Sequence, residues 1–472
     1  MEKAGRRISY KWIAMSVVAM GTLMSTLDMG AVRVALPHLE QVFQAGPDNV
    51  VWVSLIWLLI GSGLMLALGR AGDTFGRKRL YTLGLAIFSL GLLLCSLAQN
   101  LIQLVMFRLI QASGIAMTIA IGNAIITTSF PSNERGRALG IIGAVIGLGQ
   151  LSGPVLGGFF LDLLGWRSIF YLRIPFGIIS VAMAWALLKE QSSPKREGKF
   201  DLLGTVTFFF ALTCLLLAVT RGQSLGWLSP WVLILGAVGT LLLFSFLVVE
   251  RRAEQPVLDL RLFQSRLFSA ASASHVFLYM STTVARYLMP FYLIQGLGFN
   301  ASKTGLLLVI IPAISLVVSP LSGRLSDKLG TLFLCASGLT LVSVGLFLLS
   351  GLGTNASIGD IVLYLVIIGL GMGLFISPNT SAIMGSVPSE RLGSASAMVG
   401  TLRQLGISVG LAIIGSVFAT SRFSHAAQLT SQGLLQDIAE RLSTISGFQD
   451  AIFVALVIAV IGLLASVLRG RT

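Results

Sequence analysis

The chain has 472 residues, 55% of them apolar and only 11% charged, with a mean hydropathy of +0.88. An ordinary soluble domain carries roughly 25% charged residues, so 33 basic and 19 acidic side chains are too few to solvate a soluble protein of this length, and the composition indicates an integral membrane protein. The net charge of +14 does not signal nucleic acid, because Lys and Arg sit in short clusters between apolar runs, as topogenic charge does.

The N-terminus opens on Lys3, Arg6, Arg7 and Lys11. The apolar run behind them is too long for a signal-peptide core and lacks a small-x-small cleavage site, so it reads as a retained first helix. Crossing ~30 Å of hydrocarbon takes about 20 helical residues. That length predicts spans at 12–37, 50–70, 79–98, 101–129, 136–160, 166–188, 201–220, 229–249, 267–294, 304–323, 331–351, 358–386, 393–420 and 448–468. The predicted fold is all-α with fourteen transmembrane helices. Segments assigned inside hold 23 of the Lys and Arg and those outside five, with five more inside the runs, which places both termini in the cytoplasm.

An internal repeat is legible. GRAGDTFGRKR (69–79) is partly copied by GRLSDKLG (323–330), and PSNERGRA (131–138) by PSERLGSA (388–395). The aspartates are 254 residues apart and the leading prolines 257, so the offset is eight helices rather than six. This predicts two pseudo-symmetric six-helix bundles, 1–188 and 266–472, separated by a linker and inserted helix pair, 189–265. KEQSSPKREGKFD (189–201) is the polar linker, and the outer segment 421–447 has the pattern of a short amphipathic surface helix.

Four strings carry chemistry. LDMGAVRVALP (27–37) places Asp28 nine residues before Pro37, about 13 Å below the outer end; it is the only carboxylate that the spans put deep in the hydrocarbon. Intramembrane acids are expensive and mark function by default, often proton relays. Arg108, in RLIQASG (108–114), lies at a similar depth of about 10 Å and is the natural partner. A carboxylate that exchanges a proton for a cation is a coupling device; the competing reading is a fixed structural ion pair. In GRAGDTFGRKR the cations are topogenic, but an acid among three glycines accepts hydrogen bonds from a neighbouring helix N-terminus or Arg and acts as a latch. In GLGQLSGPVLGG (147–158), Gly149, Gly153 and Gly157 make one face without side chains, and Pro154 permits a bend. Static close packing is the alternative for that face.

Together these strings resemble the major facilitator superfamily, specifically its fourteen-helix drug:proton antiporter branch, over nearly the whole chain. The first-helix motif keeps its acid, Asp28. The signature loop keeps Gly69, Asp73, Gly76, Arg77 and Lys78, with Asp327 in the second copy. The fourth-helix motif keeps Arg108, Gln111 and Gly114, and the antiporter motif keeps Gly149, Gly153, Pro154, Gly157 and Gly158. The resemblance implies proton coupling at Asp28 and Arg108, a gate at the signature loop, and a sliding or sealing role for the fifth helix.

The chain departs from the family where Asn is usual: Arg33 in the first helix and Arg173 in YLRIPFG (171–177). With Arg286 they make the outer half unusually basic. Either they form an anion-friendly vestibule for a carboxylate, phosphate or lipid headgroup, or they snorkel outward or pair with Asp28, Glu40 or Asp162. The substitutions weigh against a purely cationic drug. Arg403 and Gln404, in TLRQLGISVG, are read as cavity-lining or helix-tying groups, or else as a structural pair. Gln111, Tyr279 and Tyr287 complete the candidate cavity, with ordinary packing the alternative for the tyrosines.

No catalytic constellation, metal site or cofactor motif is found. Cys95, Cys214 and Cys335 are isolated in apolar runs, His38, His275 and His425 are scattered, and GLGMG (369–373) lies inside a span rather than after a strand. Energy must then come from an ion gradient. The expected protein is a proton-coupled exporter of amphipathic or hydrophobic small molecules, multi-pass in a bacterial cell (inner) membrane. Its expected partners are substrate, protons and membrane lipids, with no nucleic acid and no obligate protein partner. A lipid or lipid-conjugate flippase of the same fold is the alternative, and a membrane enzyme or channel the rival from another class.

Overall fold

A computed structural model describes residues 9–131, 134–190, 202–252, 260–387 and 392–468; within them a few side chains, including those of 62–67, 69–74, 327 and 392–397, stand outside the description. Hydrocarbon cannot satisfy backbone N–H and C=O groups, so apolar runs in it close their own hydrogen bonds as helices. The described residues contain helices and turns and no strand.

Fourteen of these helices have fourteen residues or more: α1 Tyr10–Phe43, α2 Trp52–Phe75, α3 Arg77–Ser96, α4 Leu101–Ser129, α5 Arg135–Leu164, α6 Ile174–Leu187, α7 Leu202–Leu225, α8 Pro230–Arg252, α9 Arg266–Thr283, α10 Ile310–Leu329, α11 Thr331–Ser350, α12 Ile358–Gly385, α13 Leu392–Ser431 and α14 Gln436–Val467. Among the described residues, eleven stretches are long and apolar enough to cross a membrane, and Pro47–Gly61 and Val206–Gly222 are shorter apolar helices. α9 is not among the eleven because it is polar. Its Ser274, His275, Ser281, Thr282 and Thr283 are nevertheless buried, so it is an interior helix solvated by protein rather than lipid.

Several boundaries differ from the sequence reading. The string 69–79 is not a loop: α2 continues through Phe75, and the chain breaks only at Gly76, where φ is +98°, before α3 starts at Arg77. The run 166–188 is interrupted after Ser168–Tyr171, and α6 restarts with Pro175 in its first turn. The segment 421–447 is not a separate surface helix. α13 and α14 are simply longer than the predicted spans and meet at a short turn containing Gly433 at φ +83°.

Past Thr283, α9 continues through two widened π turns, Val284–Leu288 and Tyr292–Gly296, flanking Met289–Phe291. Pro290 has no N–H to offer the carbonyl of Arg286 four residues earlier, and a π turn is one way a helix absorbs such a lost bond.

The repeat is visible in the packing. A Cβ at Gly84 of α3 would lie 3.0 Å from the Gly114 carbonyl of α4, and one at Gly91 would meet Gln111. In the second half, a Cβ at Gly338 of α11 would lie 2.7 Å from the Gly371 carbonyl of α12, and one at Gly345 would meet Ile368. The α3 and α11 positions differ by 254 residues and the α4 and α12 positions by 257, the same offsets as the sequence landmarks. Gly330, 254 residues after Gly76, breaks the chain with φ +80° at the matching turn. α7 packs between the halves through Leu212 and Leu216, which cluster with Leu59 of α2 and Ala412 of α13.

Candidate functional site

The centre of the first half is a buried polar cluster around Asp28. Asp28 lies near the middle of the 34-residue α1 and is fully buried, as are Arg108 and Gln111 of α4. Arg108 Nη1 donates to Asp28 Oδ2 at 2.5 Å and to Gln111 Oε1 at 2.7 Å, while its Nε donates to the Val53 carbonyl of α2 at 3.1 Å. Gln111 Nε2 donates to Asp28 Oδ1 at 3.0 Å. Arg173, just ahead of α6, brings Nη1 within 2.8 Å of the same oxygen and donates through Nε to the Ile169 carbonyl at 2.6 Å. Two guanidinium groups thus face one carboxylate, where α1, α4 and the turn ahead of α6 meet, and α2 is tied in through Arg108. Removing ions from water is costly, and the cost is offset only when charges are paired and their remaining hydrogen-bond valences filled; here the Asp28 and Arg108 valences are largely filled. Sequence reading selected Asp28 and Arg108 as a pair. It assigned Gln111 to the cavity and left Arg173 between an anion-friendly vestibule, snorkelling and pairing with Asp28, Glu40 or Asp162; the structure brings both onto Asp28.

The glycine face of α5 packs directly on α1 beside this cluster. A Cβ at Gly153 would lie 3.0 Å from both Gly30 Cα and the Leu27 carbonyl; one at Gly157 would lie 2.5 Å from Ala31 Cα; one at Gly149 would overlap the Thr26 side chain. The opposite side of the same motif meets the second half. A Cβ at Gly158 would run into the Ala301 carbonyl, and one at Gly305 into the Pro154 carbonyl. α5 is therefore the seam between α1 and the helix Ala301–Leu308 that leads into α10.

The ends of the halves remote from Gly76 and Gly330 are joined by groups that sequence reading did not assign together. Arg422 Nη1 donates to Glu40 Oε1 at 2.7 Å, and Gln295 Nε2 donates to Glu40 Oε2 at 2.7 Å and to the Pro37 carbonyl at 3.2 Å. Asp162, at the C-terminal end of α5, accepts from the backbone N–H groups of Ala301 and Ser302 at 3.0 and 2.8 Å, an anion seated on a helix N-terminus. Glu40 and Asp162 were considered as partners for the outer arginines; Glu40 instead takes Arg422, and Asp162 takes backbone donors. Only the sharing of an outer end by these acids was readable beforehand.

At the opposite end, Arg77 is buried and Nη1 donates to Thr128 Oγ1 at 3.1 Å. Glu190 accepts from the Lys78 N–H at 3.3 Å and lies 3.9 Å from Arg79, so it holds the first turn of α3. It was not singled out in the sequence. The side chains of Asp73 and Asp327, and the packing around Gly69, stand outside the description.

The remaining cavity candidates gather between the halves. The Arg33 guanidinium lies over the Tyr287 ring at 4.5 Å, and Arg286 lies 5.7 Å from the Tyr279 ring with Nη2 3.4 Å from Met372 Sδ. Gln404 Nε2 donates to the Leu58 carbonyl of α2 at 3.2 Å and ties α13 to the first half. Arg403, beside Gln404 on α13, is exposed.

The sequence profile of the Major Facilitator Superfamily matches residues 18–411. The chain is 34% identical over 411 residues to the riboflavin transporter RibZ of Clostridioides difficile, covering 87% of this chain and 89% of that one. It is 32% identical to the multidrug resistance protein Stp of Mycobacterium tuberculosis, covering 86% and 76%. Among solved structures, an inward-facing bacterial homologue of the human lysosomal transporter Spinster aligns with a TM-score of 0.71 at 15% identity, over 99% of this chain and 98% of that one.

Proposed function

The chain belongs to the Major Facilitator Superfamily, and on that premise we propose that it is a proton-coupled antiporter exporting amphipathic or hydrophobic small molecules by alternating access. It is an all-helical membrane transporter by fold and kinship. Relatives named for riboflavin and for multidrug resistance support a small-molecule substrate.

In this reading fourteen spans form two six-helix bundles, 1–188 and 266–472, around the inserted helices of 189–265. Both termini face the cytoplasm, as the basic-residue bias favours.

The observation that carries the coupling reading is the packing of Asp28 between two arginines on the helix that lines the α5 glycine face. A proton reaching Asp28 discharges the carboxylate and frees Arg108 and Arg173 from it. The charges joining α1, α4 and α6 are then redistributed, and α1 slides over a surface without side chains to obstruct it. Substrate leaving outward and a proton entering inward would alternate through this one element. The Glu40 and Asp162 contacts close the outer ends, as they would in the inward-facing half of such a cycle.

The test is purified protein in liposomes with an entrapped pH-sensitive dye, an imposed proton gradient, and a panel running from riboflavin to acridine dyes. A transported compound should dissipate the gradient in the wild type. Asp28→Asn should abolish proton movement while counterflow of the compound persists. The reading fails if no compound moves protons, or if Asp28→Asn keeps full coupled transport.

A further inference from the structure

The glycine contacts that seat α5 on α1 recur where α13 meets α9, and they align the two helices residue by residue. Gly149 approaches the Leu23 carbonyl and Thr26, and Gly153 approaches Leu27; Gly406 approaches the Val276 carbonyl and Tyr279, and Gly410 approaches Met280. The α1 and α9 partners differ by 253 residues in every case. Pro37 then falls on Pro290, Asp28 on Ser281, and Arg33 on Arg286. The two arginines are equivalent positions of the two halves. Each stands four residues before a proline, so each backbone carbonyl lacks its usual helical donor.

The halves treat the other charge differently. Asp28 has no acidic counterpart, and it already faces Arg108 and Arg173. Among the described residues no carboxylate lies within ion-pair distance of Arg33, Arg286 or Arg403. The Arg33 and Arg286 guanidinium groups, one from each half, thus lie beside tyrosines of α9 and its continuation without an anion. The faces around them are aromatic, with Tyr287 beneath Arg33 and Tyr279 beneath Arg286. Arg33 Nε and the Tyr287 hydroxyl are buried without a hydrogen-bond partner. A buried charge with no counter-ion is costly, and one acid group accepting from these donors would offset much of that cost.

We infer that Arg33 and Arg286 form a two-sided clamp for an aromatic organic anion, a flat ring system bearing a carboxylate, phosphate or sulfonate, with the Tyr287 hydroxyl completing its donor set. The inference rests on the transporter reading above and narrows its substrate class. A guanidinium from each half on the same acid group makes occupancy sensitive to the relation between the halves, as an alternating-access site requires. The cation-over-ring contacts become the stacking faces of the substrate.

A matched pair of probes isolates the acid group: riboflavin, and riboflavin 5′-phosphate, which adds only the phosphate. Binding to the full-length protein in zwitterionic nanodiscs, read by flavin fluorescence anisotropy without any gradient, should favour the phosphate by roughly ten-fold, the size of one charge-assisted contact. Arg33→Gln or Arg286→Gln should bring the ratio of the two affinities towards one, and Arg33→Lys should keep part of it. Arg251→Gln, exposed at the end of α8 and away from the clamp, should leave the ratio unchanged. Size-exclusion profiles check that each variant folds. Equal affinities in the wild type, no binding of the phosphate, or a preference untouched by either glutamine variant would overturn the clamp. Loss of phosphate binding when phosphatidylglycerol is included would assign the arginines to a lipid headgroup and also overturn it. Because the measurement uses no gradient, the clamp can fail while proton-coupled flux survives, and the reverse outcome would isolate a failure of the antiport reading.

Discussion

Glu40 and Arg422, 382 residues apart in the chain, form an ion pair at 2.7 Å that joins α1 to α13, with Gln295 on the second carboxylate oxygen at 2.7 Å. Glu40 is 8% exposed, so the pair is largely withdrawn from water, and a hydrogen bond to a charged group there is worth about 1.5–3 kcal/mol. Because the two groups belong to opposite halves, the proposed alternating cycle would have to break this pair to part the halves at this end.

Glu40→Gln should therefore weaken the outer closure while keeping most of the side-chain volume. A loss of about 1.5 kcal/mol corresponds to roughly a ten-fold shift in the closed-to-open ratio. Spin labels at the exposed positions Val42 and Phe423 should report a second, longer distance in the variant. An unchanged distance distribution would mean that the pair does not set the equilibrium.

The α5 seam gives a steric prediction with an internal control. Gly158→Ala drives a methyl group into the Ala301 carbonyl, a backbone atom that cannot swing aside, whereas a Cβ at Gly140 of the same helix meets nothing within 4 Å. Liposomes containing Gly158→Ala should leak protons without substrate, because the seal between α5 and Ala301–Leu308 is wedged apart. Gly140→Ala should match the wild type. Equal leak in the two variants would remove the seam from the outer seal.

The two equivalent chain breaks should tolerate substitution unequally. Alanine at either Gly76 or Gly330 places an L side chain at positive φ, a strain of about 1–2 kcal/mol. At Gly330 a Cβ meets nothing within 4 Å, but at Gly76 it lies 2.6 Å from Glu190 Oε1, and Glu190 is the acceptor for the Lys78 N–H. Gly76→Ala should lower thermal stability by about 1 kcal/mol more than Gly330→Ala, the worth of that displaced hydrogen bond. Equal melting shifts would show that Glu190 does not hold the start of α3.

Hydropathy, charge and repeat offset were sufficient to place most helices, because partition into lipid is a property of each segment by itself and the same residues bear it whatever their neighbours. α9 is the instructive case. Its polar residues are tolerated only because other helices surround it, so its burial is a tertiary fact. The Asp28 and Arg108 pairing was legible because an acid and a base at equal depth in hydrocarbon have few alternatives. The Arg173 contact was one of several open alternatives, since Asp28, Glu40 and Asp162 all offered a carboxylate, and the convergence of Gln111 on Asp28 was not legible, since it depends on which helix faces meet. The offset of 254 or 257 residues was likewise readable from loop landmarks, yet the equivalence of Arg33 and Arg286 emerged only from the glycine contacts that align α1 with α9. Composition determined that this chain lives in a membrane and how its length is divided. Packing decided which charges cancel and which are left facing one another, because electrostatic partnership depends on distances across the fold that no single segment contains.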